Sequence, residues 1–176
     1  MKVTVALNEY GMLPDAYGKY APAQDRDDER MSARSFPFTV EDVPAGTCAL
    51  AWVFLDWDSI PVCGLPWIHW AAWYDFGLDG GPVARLAIPD DASRTGLPGL
   101  HQGHTSHRDS RGVFGVGYQG PCPPDKDHVY TMWVLALDKA PTSVGADGAP
   151  FWANELVAAA RGHVLAEARA FVPSRS

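Results

Sequence analysis

Basic residues are scarce in this chain. Its 176 residues include 14 Lys or Arg against 21 Asp or Glu, a net charge of −7, and the cations never form a run. A surface that tracks a phosphate backbone needs clustered cations, so no nucleic-acid partner is expected. Long apolar runs are missing too. No segment reaches the roughly 18 uninterrupted apolar residues of a membrane helix, and the first ten residues, MKVTVALNEY, lack the apolar core of an export signal. Neither membrane insertion nor export is expected. The 3 cysteines, Cys48, Cys63 and Cys122, are widely spaced and odd in number. They make neither a zinc cage nor a disulfide framework, and suit reduced thiols in a cytoplasm. There is no internal repeat, no Gly-x-Gly-x-x-Gly fingerprint and no Gly-x-Ser-x-Gly elbow. Nothing here calls for a cofactor.

What the chain does have is an ordinary globular balance, 47% hydrophobic and 20% charged, at a length that suits one domain spanning residues 1–176. Its most apolar and aromatic part runs from Leu50 to Trp73, LAWVFLDWDSIPVCGLPWIHWAAW, and holds most of the tryptophans. Such a run can bury both faces of a strand, so Asp56, Asp58 and His69 inside it must be paired or put to use. The Pro- and Gly-containing segment between them reads as a connection. The geometry expected is strand, loop, strand, with Asp56 and Asp58 sharing a face at the end of one strand and His69 entering the next. That is either a buried ion-pair network or a small polar pocket walled by Trp57 and Trp67.

Elsewhere, short alternating segments separated by turn formers predict a mainly β protein, an antiparallel sandwich or barrel. Val3–Leu7 suits an edge strand, Tyr10–Tyr20 an irregular packed arm, and Ala23–Arg30 a solvated charged loop. Ser35–Phe38 leads into the central strand. A turn is expected at Gly77–Gly81 and a short strand at Val83–Ile88. His101–Arg111 (HQGHTSHRDSR) reads as a loop, because it has almost no apolar content. Its three histidines lack the rigid support a metal requires, and no metal site is expected. Gly112–Pro124 is Gly-rich, and its Gly-Tyr-Gln-Gly-Pro-Cys-Pro-Pro end cannot form a ladder. His128–Leu137 is a continuous central strand. A helix is expected over Pro150–Arg161. The pattern of Val164–Phe171 does not separate helix from strand.

Five ordered motifs then converge. Ser35-Phe36-Pro37-Phe38 is followed by Asp56-Trp57-Asp58-Ser59-Ile60-Pro61, then by Trp67-Ile68-His69-Trp70. Next come Tyr118–Pro124 (YQGPCPP) with His128-Val129-Tyr130, and finally Gly162–Ala168 (GHVLAEA). In this the chain resembles the phosphatidylethanolamine-binding protein family, in its bacterial, Raf-kinase-inhibitor-like branch, over residues of about 33–170. Two departures stand out: Ser59 replaces the usual Ala, and His104-Thr105-Ser106-His107 replaces a segment that usually carries Asn and Trp.

The resemblance implies an antiparallel β-sandwich with a C-terminal helix, and a pocket for phosphate or a phosphoryl head group lined by Asp56, Asp58, Pro61, Trp67, His69, Gly120, Pro121, His128 and Tyr130. It implies a small anionic or phosphorylated ligand, with a regulatory role, a protein partner and a homodimer left open. The alternative is an enzyme that uses the Asp–His–Tyr group for proton transfer on a small anionic substrate. In either case a carboxylate is expected on His69, raising its pKa so that the imidazolium receives the anion.

Overall fold

The computed structural model describes residues 1–27, 31–76, 84–145 and 147–176. In chain order its strands are β1 (Lys2–Val5), β2 (Phe38–Glu41), β3 (Ala49–Asp56), β4 (Trp67–Asp75), β5 (Arg85–Ile88), β6 (Leu100–Gln102), β7 (His104–Arg108), β8 (Phe114–Val116), β9 (His128–Leu137) and β10 (Val164–Ser174). Three short helices, α1 (Ile60–Cys63), α2 (Ala92–Thr95) and α3 (Ala153–Ala160), lie between them. The five-stranded sheet runs β10-β9-β3-β4-β6 and the three-stranded sheet β1-β2-β5, while β7 and β8 form a separate hairpin. Every named strand pairing is antiparallel. Of the sandwich or barrel expected from the turn spacing, the observed fold is the mainly β sandwich that the family resemblance implies.

Alternation along β3 explains why this strand sits at the centre. Leu50, Trp52 and Phe54 point inward, where they meet Phe38, Val40 and Ile88 of the three-stranded sheet and Met132 and Val134 of β9. Ala49 and Ala51 point the other way, and α3 covers that face with Leu156 and Ala160 beside Trp73 and Leu137. Every residue of β3 is buried. Full burial of one such aliphatic or aromatic side chain stabilises by about 2–3 kcal/mol, and both faces of this strand contribute. Phe36 inserts edge-on between Phe54, Trp70 and Tyr118, with ring centroids 5.0, 6.3 and 5.5 Å away.

Three expectations change. The histidine-rich segment is β-structure, because β6 pairs with β4 and β7 with β8. Several of its side chains find partners despite the missing apolar pattern, although His104 Nδ1 and His107 Nε2 are buried with no hydrogen-bond partner among the described residues. His101 stacks on Trp73 at 3.8 Å, His104 lies 4.5 Å from Trp152, and Thr105 Oγ1 donates to Gln119 Oε1 at 2.6 Å. The helix starts three residues after Pro150, because Glu155 Oε2 accepts the Trp152 N–H at 2.8 Å and makes Trp152 its cap. The charged segment Ala23–Arg30 is not simply solvated, since Asp25 is buried between Arg34 and Arg94. Val164–Phe171 belongs to β10. The expected turn at Gly77–Gly81, with Val83 and residues 28–30, lies outside the described residues.

Candidate functional site

Strands β3, β4 and β9 reach a common end of the sheet, where Asp56 is opposite both Trp67 and Tyr130. Period-two alternation along β9 turns His128 and Tyr130 inward together and leaves Val129 between them exposed. His128 then meets a carboxylate at each ring nitrogen. Asp56 Oδ2 lies 2.7 Å from Nδ1, and Asp125 Oδ1, from the turn just before β9, lies 2.9 Å from Nε2. Desolvation works to lower the His128 pKa, but the bonds to Asp56 and Asp125 outweigh it and the value lies above the ordinary 6.5. The Asp125 carboxyl is pulled below its usual range, chiefly by the same bond. The second oxygen of Asp56, Oδ1, is buried and has no partner among the described residues.

His69 is held differently. The β3–β4 register slips between Phe54 and Leu55, so that Trp70 faces Phe54 while Ile68 faces Leu55. His69 is the extra residue of this bulge. Its backbone carbonyl accepts the Gln119 N–H at 2.9 Å, and its Nδ1 donates to the Gln119 carbonyl at 2.8 Å. A neutral imidazole carries one proton, so the unprotonated nitrogen is Nε2. Burial drives the His69 pKa down to about 4, against the opposing pull of the Gln119 carbonyl and the Asp56 charge. The ring is neutral at physiological pH. Tyr130 lies edge-on to it at 5.1 Å. Burial first, and the Asp56 charge second, keep the Tyr130 hydroxyl protonated well beyond the ordinary phenol range.

These groups line a cavity of about 320 Å³. Asp56, His69, His128 and Tyr130 supply its polar groups, with Trp67 beside them. Its apolar walls include Met31, Val62 and Pro123. Helix α1 contributes Val62 and Cys63 because Ser59, Val62 and Cys63 fall on one face of a single helical turn. Ser59 Oγ sits 2.8 Å from the Asp56 carbonyl and 2.6 Å from that of Leu65, its one proton shared between them. Gly64, at φ 83°, closes the turn in the left-handed region.

Of the nine residues expected at the pocket, Asp56, Trp67, His69, His128 and Tyr130 line this cavity. The other four do not. Asp58 lies beyond the end of β3, and its Oδ2 accepts the Val129 N–H at 2.9 Å, so it caps the start of β9. Pro61 occupies the outer side of the α1 turn, opposite Val62 and Cys63, and is exposed. Gly120 is turned inward, its N–H donating to the Ser32 carbonyl at 2.7 Å, and a side chain there would come within 2.5 Å of the Tyr17 carbonyl. Pro121 is buried with it against the N-terminal arm. The carboxylate expected on His69 is on His128 instead, and the expected upward shift of His69 is a downward one. Asp125 went unpredicted, although its spacing of three residues before His128 is a readable signal. The wall residues Met31 and Pro123 carry no such signal.

Comparison with known proteins gives one answer. The profile described as "Phosphatidylethanolamine-binding protein" matches residues 4–173. The uncharacterized protein YxkA of Bacillus subtilis is 36% identical over 174 residues, 95% of each chain. A UPF0098 protein of Methanothermobacter thermautotrophicus is 29% identical over 167 residues, covering 94% of this chain and 92% of its own. Among solved structures, a protein of Chlamydia trachomatis described as a PEBP homolog superposes with a TM-score of 0.70 at 24% identity, over 99% of this chain and 97% of its own. Escherichia coli YBCL, described as a member of the mammalian PEBP family, gives 0.66 at 23%, over 99% and 98%. Both likenesses are of fold.

Proposed function

Because the chain belongs to the phosphatidylethanolamine-binding protein family, whose members bind small ligands, we propose that the cavity at the ends of β3, β4 and β9 receives a phosphoryl head group that still carries a proton. The observation behind this reading is the buried, unpartnered Oδ1 of Asp56. Such an oxygen is costly unless something donates to it. The cavity also offers a second acceptor, Nε2 of neutral His69, and a hydroxyl donor, that of Tyr130. A fully ionised phosphate would face two acceptors and a carboxylate charge. A monoprotonated one donates its P–OH to Asp56 or His69 and accepts from Tyr130. The imidazolium of His128 offsets the charge of Asp56 from behind. Met31, Val62 and Pro123 suit a short apolar tail.

Calorimetric titration with methyl phosphate tests this. Its second ionisation lies near pH 6, so affinity should decline about tenfold per pH unit above that. Constant affinity across the range would refute the proton requirement, and absence of millimolar binding would refute the pocket reading.

The orientation of His69 favours a second reading. A neutral imidazole, fixed by a carbonyl at Nδ1, is the arrangement of a general base. An enzyme of this kind would exchange the methyl protons of pyruvate with heavy water, and His69→Gln would stop it.

The regulatory role and the cytoplasmic location belong to the same proposal. Trp57, Ile60, Val62 and Leu65 are exposed apolar side chains in and beside α1, a surface a protein partner could read. Cys48, Cys63 and Cys122 are exposed free thiols, which suits a reducing compartment. Among the described residues no helix is long and apolar enough to cross a membrane.

A further inference from the structure

The five-stranded sheet ends on one side in the three-residue β6 and on the other in β10, which is eleven residues long. Long exposed edges are normally shortened, bulged away or interrupted, because their free N–H and C=O groups invite another strand. On β10 the interruptions come only near its ends: the pairing with β9 is bulged between Val164 and Ala166, and Pro173 lies near the other end. The Pro173 carbonyl accepts the Leu13 N–H at 2.7 Å, and proline has no N–H to offer. Pro173 therefore marks the outward-facing set, and alternation places Glu167, Arg169 and Phe171 in the same set. Their side chains stand on the face that carries Trp133. Trp133 Nε1 donates to Glu167 Oε2 at 3.1 Å, and the Arg169 guanidinium lies 5.4 Å from the Trp133 ring. Phe171 is 67% exposed and Leu165 44%.

The order of these residues is self-complementary. Running β10 antiparallel to a second β10, with Ala168 opposite Ala168, sets each Glu167 against the other copy's Arg169 and brings each Phe171 toward the other copy's Leu165, the residue at the bulge. Alanines at 166 and 170 fill the remaining positions. Sliding the pair by two residues in either direction puts glutamate against glutamate or arginine against arginine, which is unfavourable for residues directly opposite. One register is selected and its neighbours are rejected.

We propose that β10 pairs with β10 of a second copy of this chain about a two-fold axis at Ala168, joining two five-stranded sheets into one. The contact is isologous, as a closed dimer requires. It covers Phe171 and Leu165, adds reciprocal Glu167–Arg169 pairs on both sides of the axis, and leaves the ligand cavity untouched.

Sedimentation velocity over micromolar concentrations tests this on the full chain. Wild type should dimerise. Arg169→Glu and Glu167→Arg each place like charges opposite one another and should raise the dimer dissociation constant at least about tenfold. Mixing the two single variants should restore association as a heterodimer, because each then meets the opposite charge. The double exchange, Glu167→Arg with Arg169→Glu, should restore the homodimer. Circular dichroism separates loss of pairing from loss of fold, and the mixture decides even if one variant is less stable alone. A wild-type monomer at every concentration would overturn the proposal. So would a dimer indifferent to the single reversals, or single reversals that the mixture and the double exchange do not rescue.

Discussion

Asp25 and Asp56 are both aspartates with almost no exposure, 4% and 3%, and the molecule treats them in opposite ways. Asp25 spends both oxygens on arginines: Oδ2 on Arg34 at 3.2 Å and Oδ1 on Arg94 at 3.0 Å. Those arginines are held in turn by Asp90 and Asp91. Desolvation would raise the Asp25 pKa, but the Arg94 and Arg34 bonds overcome it and the carboxyl titrates below its usual range. Asp56, which lines a cavity, spends one oxygen on His128 and leaves the other, buried, without a partner among the described residues. A buried charge with both oxygens paired is part of the scaffold. A buried charge with one oxygen held back has something left to bind.

The strongest way to break this comparison is to remove each carboxylate in turn. Asp25→Ala removes the buried carboxylate that joins two arginines into one closed network, and the melting temperature should fall by on the order of 10 °C. Methyl phosphate affinity should stay within about twofold. Asp56→Ala should show the reverse pattern, a smaller fall in melting temperature with loss of binding, since Asp125 still holds His128. Equal melting losses with unchanged binding in both variants would make Asp56 structural as well.

Acid sharpens the contrast next. His69 binds its proton only near pH 4 when folded, against about 6.5 when unfolded. Between those values the unfolded chain binds more protons, so stability falls as pH drops, by about 3 kcal/mol in all. His128 runs the other way. Its folded pKa is raised, so its contribution is complete below about 6.5 and is lost as pH rises through the folded value. Urea unfolding from pH 4 to 8 should therefore show a steep acid limb that His69→Gln flattens, and a gentler alkaline decline that His128→Gln removes. A flat profile in wild type would contradict both assignments.

Smaller effects probe the donors. Tyr130→Phe removes the cavity's hydroxyl and should weaken methyl phosphate by about five- to tenfold, near 1 kcal/mol, with little change in melting temperature. Ser59→Ala deletes the hydroxyl shared by the Asp56 and Leu65 carbonyls. It should cost no more than about 1 kcal/mol of stability and leave affinity alone, as calorimetry would show.

Much of the fold was legible. Alternation and turn spacing identified an antiparallel, mainly β protein, the buried centre at β3 and the continuous β9, and the motif resemblance chose the sandwich over a barrel. The histidine-rich β6 and β7 were not, because their strands are sustained by side-chain pairs such as His101 on Trp73 rather than by an apolar period. At the site, the motifs named the right neighbourhood but not the right couple. Period two brought His128 and Tyr130 together, yet which histidine meets Asp56 depends on the bulge at His69 and on β9 lying beside β3. Neither is written in local spacing. Pro61, Gly120 and Pro121 belong to turns whose facing is decided by tertiary contacts, as the Gly120 bond to Ser32 illustrates.

The position of β3 also sets a timetable. On one side it meets β4 across a connection of ten residues, 57–66, and on the other it meets β9, whose His128 is 72 residues from Asp56. The near hairpin can close quickly, while the far pairing waits on a long search and on the loss of loop entropy. On a ribosome the wait is longer, because β9 emerges only after every other cavity-lining segment has been made. During that interval Asp56 has no His128 to bond with, and the arrival of β9 closes the binding chamber and gives β10 the edge on which it is then added.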